Sequence, residues 1–290
     1  MHGRSAQIFL FSGLRVFRGS IFSRGSLPRS NWRFFGTNML TIRPKYLDLK
    51  PDQVVVDLGC GNGRHLQALA WVYPVRLMGL DLDYDSVTAS RDGLHELMDS
   101  DDSRLRQCIL ATADCMRLPL PDSSADHLIC SEVLEHLPDY HRTVLEIRRV
   151  LRPGGTLALS VPRYWPERVC WALSPEYQHD PGGHVRIFHA AALRQEIQRS
   201  GFDFLRSHHA HALHAPYWWL KCLRWAQRDS WWPVRLTHRL LVWDMLHKPF
   251  ATRGLEKILN PIMGKSVVMY FKARLKKPLF SAVKYQGSIT

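Results

Sequence analysis

The sequence predicts an α/β domain built on a mostly parallel sheet. Three observations carry that expectation. Strand-like and helix-like segments alternate from residue 53 onward, a glycine-rich run follows the first buried strand, and acidic residues close four successive strands. The chain has 290 residues, 46% hydrophobic and 22% charged. That composition excludes a disordered, fibrous or disulfide-scaffold protein. The length suffices to bury a core without a metal or disulfide. No apolar run reaches the roughly 18–20 residues that span a bilayer.

Val54, Val55 and Val56 form a continuous β-branched run, the pattern of a strand buried on both faces. Glycines follow at 59, 61 and 63, and then a helix is expected over 64–72. A second strand is expected over 76–80, a second helix over 86–98, a third strand over 106–111 and a fourth over 127–130. The next helix is expected over 135–151. Pro153-Gly154-Gly155 reads as a turn leading to a fifth strand over 156–161. A helix over 190–200 ends at Gly201, a sixth strand covers 204–210 and a seventh 266–272. The interval 216–264 breaks this rhythm. It is helix-forming, aromatic and basic, and reads as a helical insertion before the last strand. In such a sheet the ligand crevice lies at the carboxyl ends of the central strands.

The chemistry concentrates there. Asp57 precedes Gly59-Cys60-Gly61-Asn62-Gly63 by two residues. Glycines let the backbone pass close under a ligand. An acid at that strand end suits a cationic, amino-acid-like ligand better than a pyrophosphate. Asp81 ends the second strand, where a carboxylate accepts ribose hydroxyls. Ala113-Asp114-Cys115 follows the third strand, and Ser131-Glu132 ends the fourth. One such acid is ordinarily a solvated strand end; four in register point to a ligand.

This run resembles class I S-adenosylmethionine-dependent methyltransferases, closest to the type 11 subgroup that includes ubiquinone and menaquinone biosynthesis enzymes. The likeness extends through Leu118-Pro-Leu-Pro-Asp122-Ser-Ser-Ala-Asp126, Glu132-Val-Leu-Glu135-His136-Leu-Pro138 and Leu151-Arg-Pro-Gly-Gly155. It covers about 40–205 and resumes at 266–274. The resemblance implies a Rossmann-like sheet of seven strands flanked by helices, the seventh strand antiparallel, with S-adenosyl-L-methionine as cofactor. It implies Asp57, Gly59 and Gly61 around the methionine end, Asp81 at the ribose and Leu82 on the adenine face. Asp114 would meet the adenine amino group, Cys115 would supply a backbone amide, and Ser131 would line the cofactor site.

Methyl transfer asks mainly for in-line placement, with a base for a hydroxyl or carbon acceptor. His136, His179 and His184 are candidates, and His136 and His184 are taken as catalytic. Glu132, Glu135 and His136 share a face if helical. A similar acid–acid–His run in ubiquinone-pathway O-methyltransferases is associated with a divalent metal. The alternative is that Glu132 borders the cofactor while Glu135 and His136 cap and orient the next helix, and no metal is assigned. In His179-Asp-Pro-Gly-Gly-His184-Val-Arg186-Ile-Phe188 the glycines permit a flap with His184 and Arg186 inward; the alternative is a structural loop held by Arg186 and an acid. His208, His209, His211 and His214 have no acid or cysteine beside them in sequence, so no metal role is assigned to them either.

The formal net charge is +13, distributed unevenly. Residues 1–47 carry eight Lys/Arg and no acid, 48–200 carry sixteen against twenty-two acids, and 201–290 carry fifteen against four. Basic ends point to an anionic partner. Six of the ten tryptophans fall within 218–243, interleaved with Lys221, Arg224, Arg228, Arg235 and Arg239. Leu236, Leu240, Trp243 and Leu246 recur at helical spacing. Such a segment suits a membrane headgroup zone, a soluble cap over an acceptor pocket, or RNA contact.

The reading is thus a methyltransferase domain over 39–275, acting on a hydrophobic small molecule such as a quinone precursor, isoprenoid or lipid-like compound. An RNA methyltransferase and a non-catalytic cofactor-binding regulator are the alternatives. Residues 1–38 are a basic extension: dispensable with a start at Met39, transit-like, or membrane-touching. Residues 276–290 are a tail. Six cysteines without metal-ligand spacing read as reduced thiols. The expected location is cytoplasmic with peripheral membrane contact, or mitochondrial if the extension is a transit peptide.

Overall fold

The computed structural model describes residues 40–97, 107–180, 183–247 and 249–275. The basic extension and the tail lie outside the described residues, as do residue 98 at the end of the expected second helix and residue 106 at the start of the expected third strand.

The expected alternation appears as β1 (Val54–Leu58), α1 (Arg64–Val72), β2 (Arg76–Asp81), α2 (Tyr84–Leu97), β3 (Cys108–Thr112), β4 (Ala125–Ser131), α3 (Tyr140–Val150) and β5 (Leu151–Pro162). It continues with α4 (Tyr164–Leu173), a short α5 (Pro175–Gln178), α6 (Ala190–Arg199) and β6 (Phe202–Ala210). The insertion forms α7 (His214–Leu223), α8 (Trp232–His247) and α9 (Phe250–Met263) before β7 (Ser266–Ala273).

One sheet of seven strands runs in the order β3-β2-β1-β4-β5-β7-β6. Neighbours are parallel except that β7 runs antiparallel to both β5 and β6. This is the Rossmann-like arrangement expected. The central strands are buried on both faces: Val55, Val56, Leu128 and Ile129 are all enclosed, in two hydrophobic clusters on opposite sides of the sheet. The order reverses between β1 and β4, so a crevice opens at their carboxyl ends.

Two expectations are corrected. The helix expected over 135–151 begins only at Tyr140. Pro138 forces Leu137 into extended backbone, φ −93° and ψ 125°, and Asp139 then caps α3 by accepting from the Arg142 N–H. Glu135 and His136 sit instead on a separate 3₁₀ turn, Leu134–His136. Glu132 has left-handed backbone, φ 57°. The three side chains therefore share no helical face. The Pro153-Gly154-Gly155 turn is also absorbed into β5 as an excursion: Ala125 pairs with Leu151 and His127 with Thr156.

Candidate active site

The glycine loop after β1 has left-handed backbone at Gly59, Gly61 and Gly63, φ 69°, 53° and 77°. A Cβ on Gly59 would lie 2.4 Å from Val133 Cγ2, so only glycine fits there. The Gly59 and Cys60 amides donate to the Leu80 carbonyl at 2.7 and 3.1 Å. The Gly61 amide donates to Asp81 Oδ2 at 2.8 Å, and Asp83 N–H to Asp81 Oδ1 at 3.0 Å. Asp81 thus braces the loop from the next strand. Burial raises its pKa, opposed by those amides.

Asp57 is fully enclosed, and its Oδ2 has no hydrogen-bond partner among the described residues. His65 Nδ1 lies 3.8 Å away, and burial holds that imidazole neutral. Burial raises Asp57 to about 7, with Arg64 opposing and Asp81 reinforcing the rise. A buried carboxylate oxygen lacking a partner is costly, so this atom is set for an incoming cation. An ammonium supplies that, and the amino-acid end of S-adenosylmethionine fits the residues present.

The other expected cofactor positions line the same edge. Leu82 is exposed beside Asp81. Asp114 is exposed after β3 and accepts from the Met116 amide at 2.8 Å. The Cys115 thiol, raised by burial, accepts from Thr143 Oγ1. Ser131 is buried in a chain of hydroxyls: its Oγ lies 3.0 Å from Ser160 Oγ, which donates to Glu132 Oε1 at 2.7 Å. Arg64 donates to Ser131 Oγ at 3.3 Å.

Beyond β4 and β5 the structure brings the two catalytic candidates together. The His136 and His184 rings meet edge to face at 5.0 Å. His136 Nδ1 donates to the Gly183 carbonyl at 3.2 Å. His184 Nδ1 donates to Glu167 Oε1 at 2.6 Å. Glu167 also accepts from Tyr177 Oη at 2.8 Å and Lys265 Nζ at 3.1 Å. Burial alone would raise its pKa, but Lys265, His184 and Tyr177 outweigh that and hold it below the ordinary range. Glu135 lies beside this cluster, wholly buried, neither oxygen hydrogen-bonded among the described residues. Burial and neighbouring Glu132 push its pKa well up. Sequence reading missed Glu167, Tyr177, Lys265 and Ser160. None sits in a motif, and they converge only through tertiary contact.

His179 is exposed and bonds its own turn at Pro175 O, apart from this cluster. Among the described residues Arg186 partners no acid. It donates to the Leu137 and Pro138 carbonyls at 2.8 and 2.6 Å and lies over the Tyr140 ring. The acid missing from the sequence neighbourhood of His211 and His214 comes from α9: ligand atoms of both histidines and Glu256 lie within 4.8 Å of one another. A second such group is Glu135, His136 and His184.

Comparison with known proteins agrees with this fold. The type 11 family model, described as "Methyltransferase domain", matches residues 56–159. The 27-O-demethylrifamycin SV methyltransferase of Amycolatopsis mediterranei is 35% identical over 113 residues, 39% of this chain and 40% of that one. The cycloartenol-C-24-methyltransferase of Arabidopsis thaliana is 29% identical over 141 residues, 49% of this chain and 38% of that one. The chain thus spans about two-fifths of the length of these relatives. Among solved structures, a geranyl diphosphate methyltransferase in complex with S-adenosylmethionine aligns with a TM-score of 0.52 at 12% identity, over 85% of each chain. The YcgJ protein of Bacillus subtilis aligns with a TM-score of 0.53 at 18% identity, over 80% of this chain and 96% of that one. Fold, glycine loop and family match agree: residues 56–159 carry the type 11 methyltransferase domain of the class I S-adenosylmethionine-dependent kind.

Proposed function

We propose that the protein transfers the methyl group of S-adenosylmethionine to a hydrophobic small-molecule acceptor, with His184 as the base. The observation that carries this reading is the hydrogen bond of buried Glu167 to part-buried His184 beneath an aromatic cap. Tyr177 meets the rings of Trp218 and Trp225, and the Trp218 ring lies 5.1 Å from Lys265 Nζ.

The cofactor, when bound, supplies a methyl group on a sulfonium. Asp57 would hold its ammonium, Asp81 its ribose and Leu82 its adenine face, while Asp114, the Cys115 amide and Ser131 would hold the rest. The ionised Glu167 accepts from His184 Nδ1–H, which fixes the tautomer with Nε2 carrying the lone pair. That nitrogen takes the acceptor's proton as methyl transfer proceeds. His136, across the 5.0 Å ring contact, orients the acceptor. The aromatic cap excludes water and favours apolar acceptors.

The test is transfer of radiolabelled methyl from S-adenosylmethionine into a cell extract that is then partitioned. Label in the organic phase supports the reading, and His184→Ala should lower it by about 10²–10⁴-fold, the usual contribution of a positioned base. Label confined to RNA, or cofactor binding without turnover, would overturn it.

A further inference from the structure

Helix α9 is amphipathic in the inverted sense: its polar side faces the protein and its apolar side faces outward. Asn260 Oδ1 accepts from the Ala212 amide at 3.0 Å, and the Glu256 carboxylate accepts from the His211 amide. Arg163 donates to the Pro261 and Ile262 carbonyls, both at 3.0 Å. These bonds seat the helix against the end of β6 by polar contacts. Its large apolar residues are left outside. Leu255, Ile258 and Ile262 recur at i, i+3 and i+7 on one face, with Ile258 67% exposed. Phe250, at the start of the helix, is 92% exposed.

Helix α8, tied to α9 by the Thr252–Asp244 hydrogen bond, repeats the pattern. Trp232, Leu236, Leu240 and Trp243 fall at i, i+4, i+8 and i+11, one face, and all are exposed. Two adjacent apolar faces that the described residues leave uncovered amount to more than scattered surface hydrophobics.

Charge identifies the occupant. Residues 214–263 carry eight Lys/Arg against three acids. Asp229 is paired with Lys221, Asp244 with Thr252, and Glu256 is turned inward. Arg235, Arg239 and Lys257 stand exposed beside the apolar faces. A second copy of the chain docked through these faces would bring like charges together. An anionic lipid surface complements both the apolar stripe and its basic rim, and tryptophan beside basic residues suits the headgroup zone. No described helix is long and apolar enough to cross a membrane, so contact is in plane.

We propose that the outer faces of α8 and α9 dock in plane on an anionic lipid bilayer. The proposal stands independently of the acceptor reading, because it rests on surface residues alone. Docking places the cap at a reservoir of hydrophobic molecules.

The experiment is co-sedimentation of the full chain with vesicles of phosphatidylcholine, alone or mixed with phosphatidylglycerol. Binding to the mixed vesicles that weakens with salt supports the proposal. I258E/I262E should lower the partition coefficient about tenfold or more. R239Q/K257Q should lower it roughly thirty-fold on mixed vesicles, at ~1 kcal/mol per basic residue. Calorimetric affinity for S-adenosylmethionine should be the same in both variants, which controls for folding. A wild-type chain that stays in the supernatant overturns the proposal. So does undiminished binding by I258E/I262E, a dimer that this variant dissociates, or retention on RNA without retention on vesicles.

Discussion

At the residue scale, Asp57 sets cofactor binding against stability. Its folded-state pKa, about 7, lies above that of the unfolded chain because burial penalises the carboxylate. The folded state therefore holds the proton more tightly. Stability is complete below the unfolded pKa near 4 and falls as pH rises through about 7, by roughly 4 kcal/mol in total. Asp57→Asn should raise the melting temperature of the cofactor-free protein at about pH 8 and leave it unchanged near pH 4. The same substitution should abolish calorimetric binding of S-adenosylmethionine. Unchanged cofactor affinity would remove Asp57 from the site. Asp57 was legible as a candidate in the sequence because it precedes a glycine loop and falls in register with acids at three further strand ends. Its missing hydrogen-bond partner was not, since that depends on what surrounds it.

At the scale of elements, Glu167 on α4 and Lys265 at the start of β7 join the cap to the sheet. Glu167 is buried and Lys265 mostly so, and each is the other's main compensation. Removing one partner leaves a buried charge uncompensated, which costs about 3–5 kcal/mol. Glu167→Gln alone should therefore unfold at markedly lower denaturant, while E167Q/K265M should recover much of that loss. Additive losses in the double-mutant cycle would show that the two do not act as a pair. The insertion divides in a way that helical spacing did not reveal. Trp218, Trp219 and Trp225 pack against Cys170, Tyr177 and Cys222 as a cap. Trp232 and Trp243 are left outside on α8. Cap and membrane surface were compatible readings of one segment in the sequence, beside RNA contact; the fold packs the first part of that segment inward and leaves apolar side chains of the second part outside.

At the scale of the whole molecule, the proposed function gives the cofactor edge to the sheet and the acceptor side to the insertion. Replacing 216–262 by a short linker should abolish methyl transfer to the native acceptor, while calorimetric cofactor binding persists in the folded product. Full activity after that deletion would contradict the cap's role. The alternation of strands and helices, and the placing of the glycine loop and acids at strand ends, were legible in the sequence itself. A β-branched run, a glycine loop and acids at successive strand ends are local patterns, each confined to a few residues. The break at Leu137-Pro138 is equally local, written in the proline, yet reading Glu135 as the start of a continuous helix passed over it. Tertiary structure alone decided the convergence of Glu167, Tyr177, His184 and Lys265, four residues spread from 167 to 265. It likewise brought Glu256 to His211 and His214, and turned the polar side of α9 inward. A buried charge needs compensation from any part of the chain that folding places beside it, and no spacing rule in one dimension encodes which part that is.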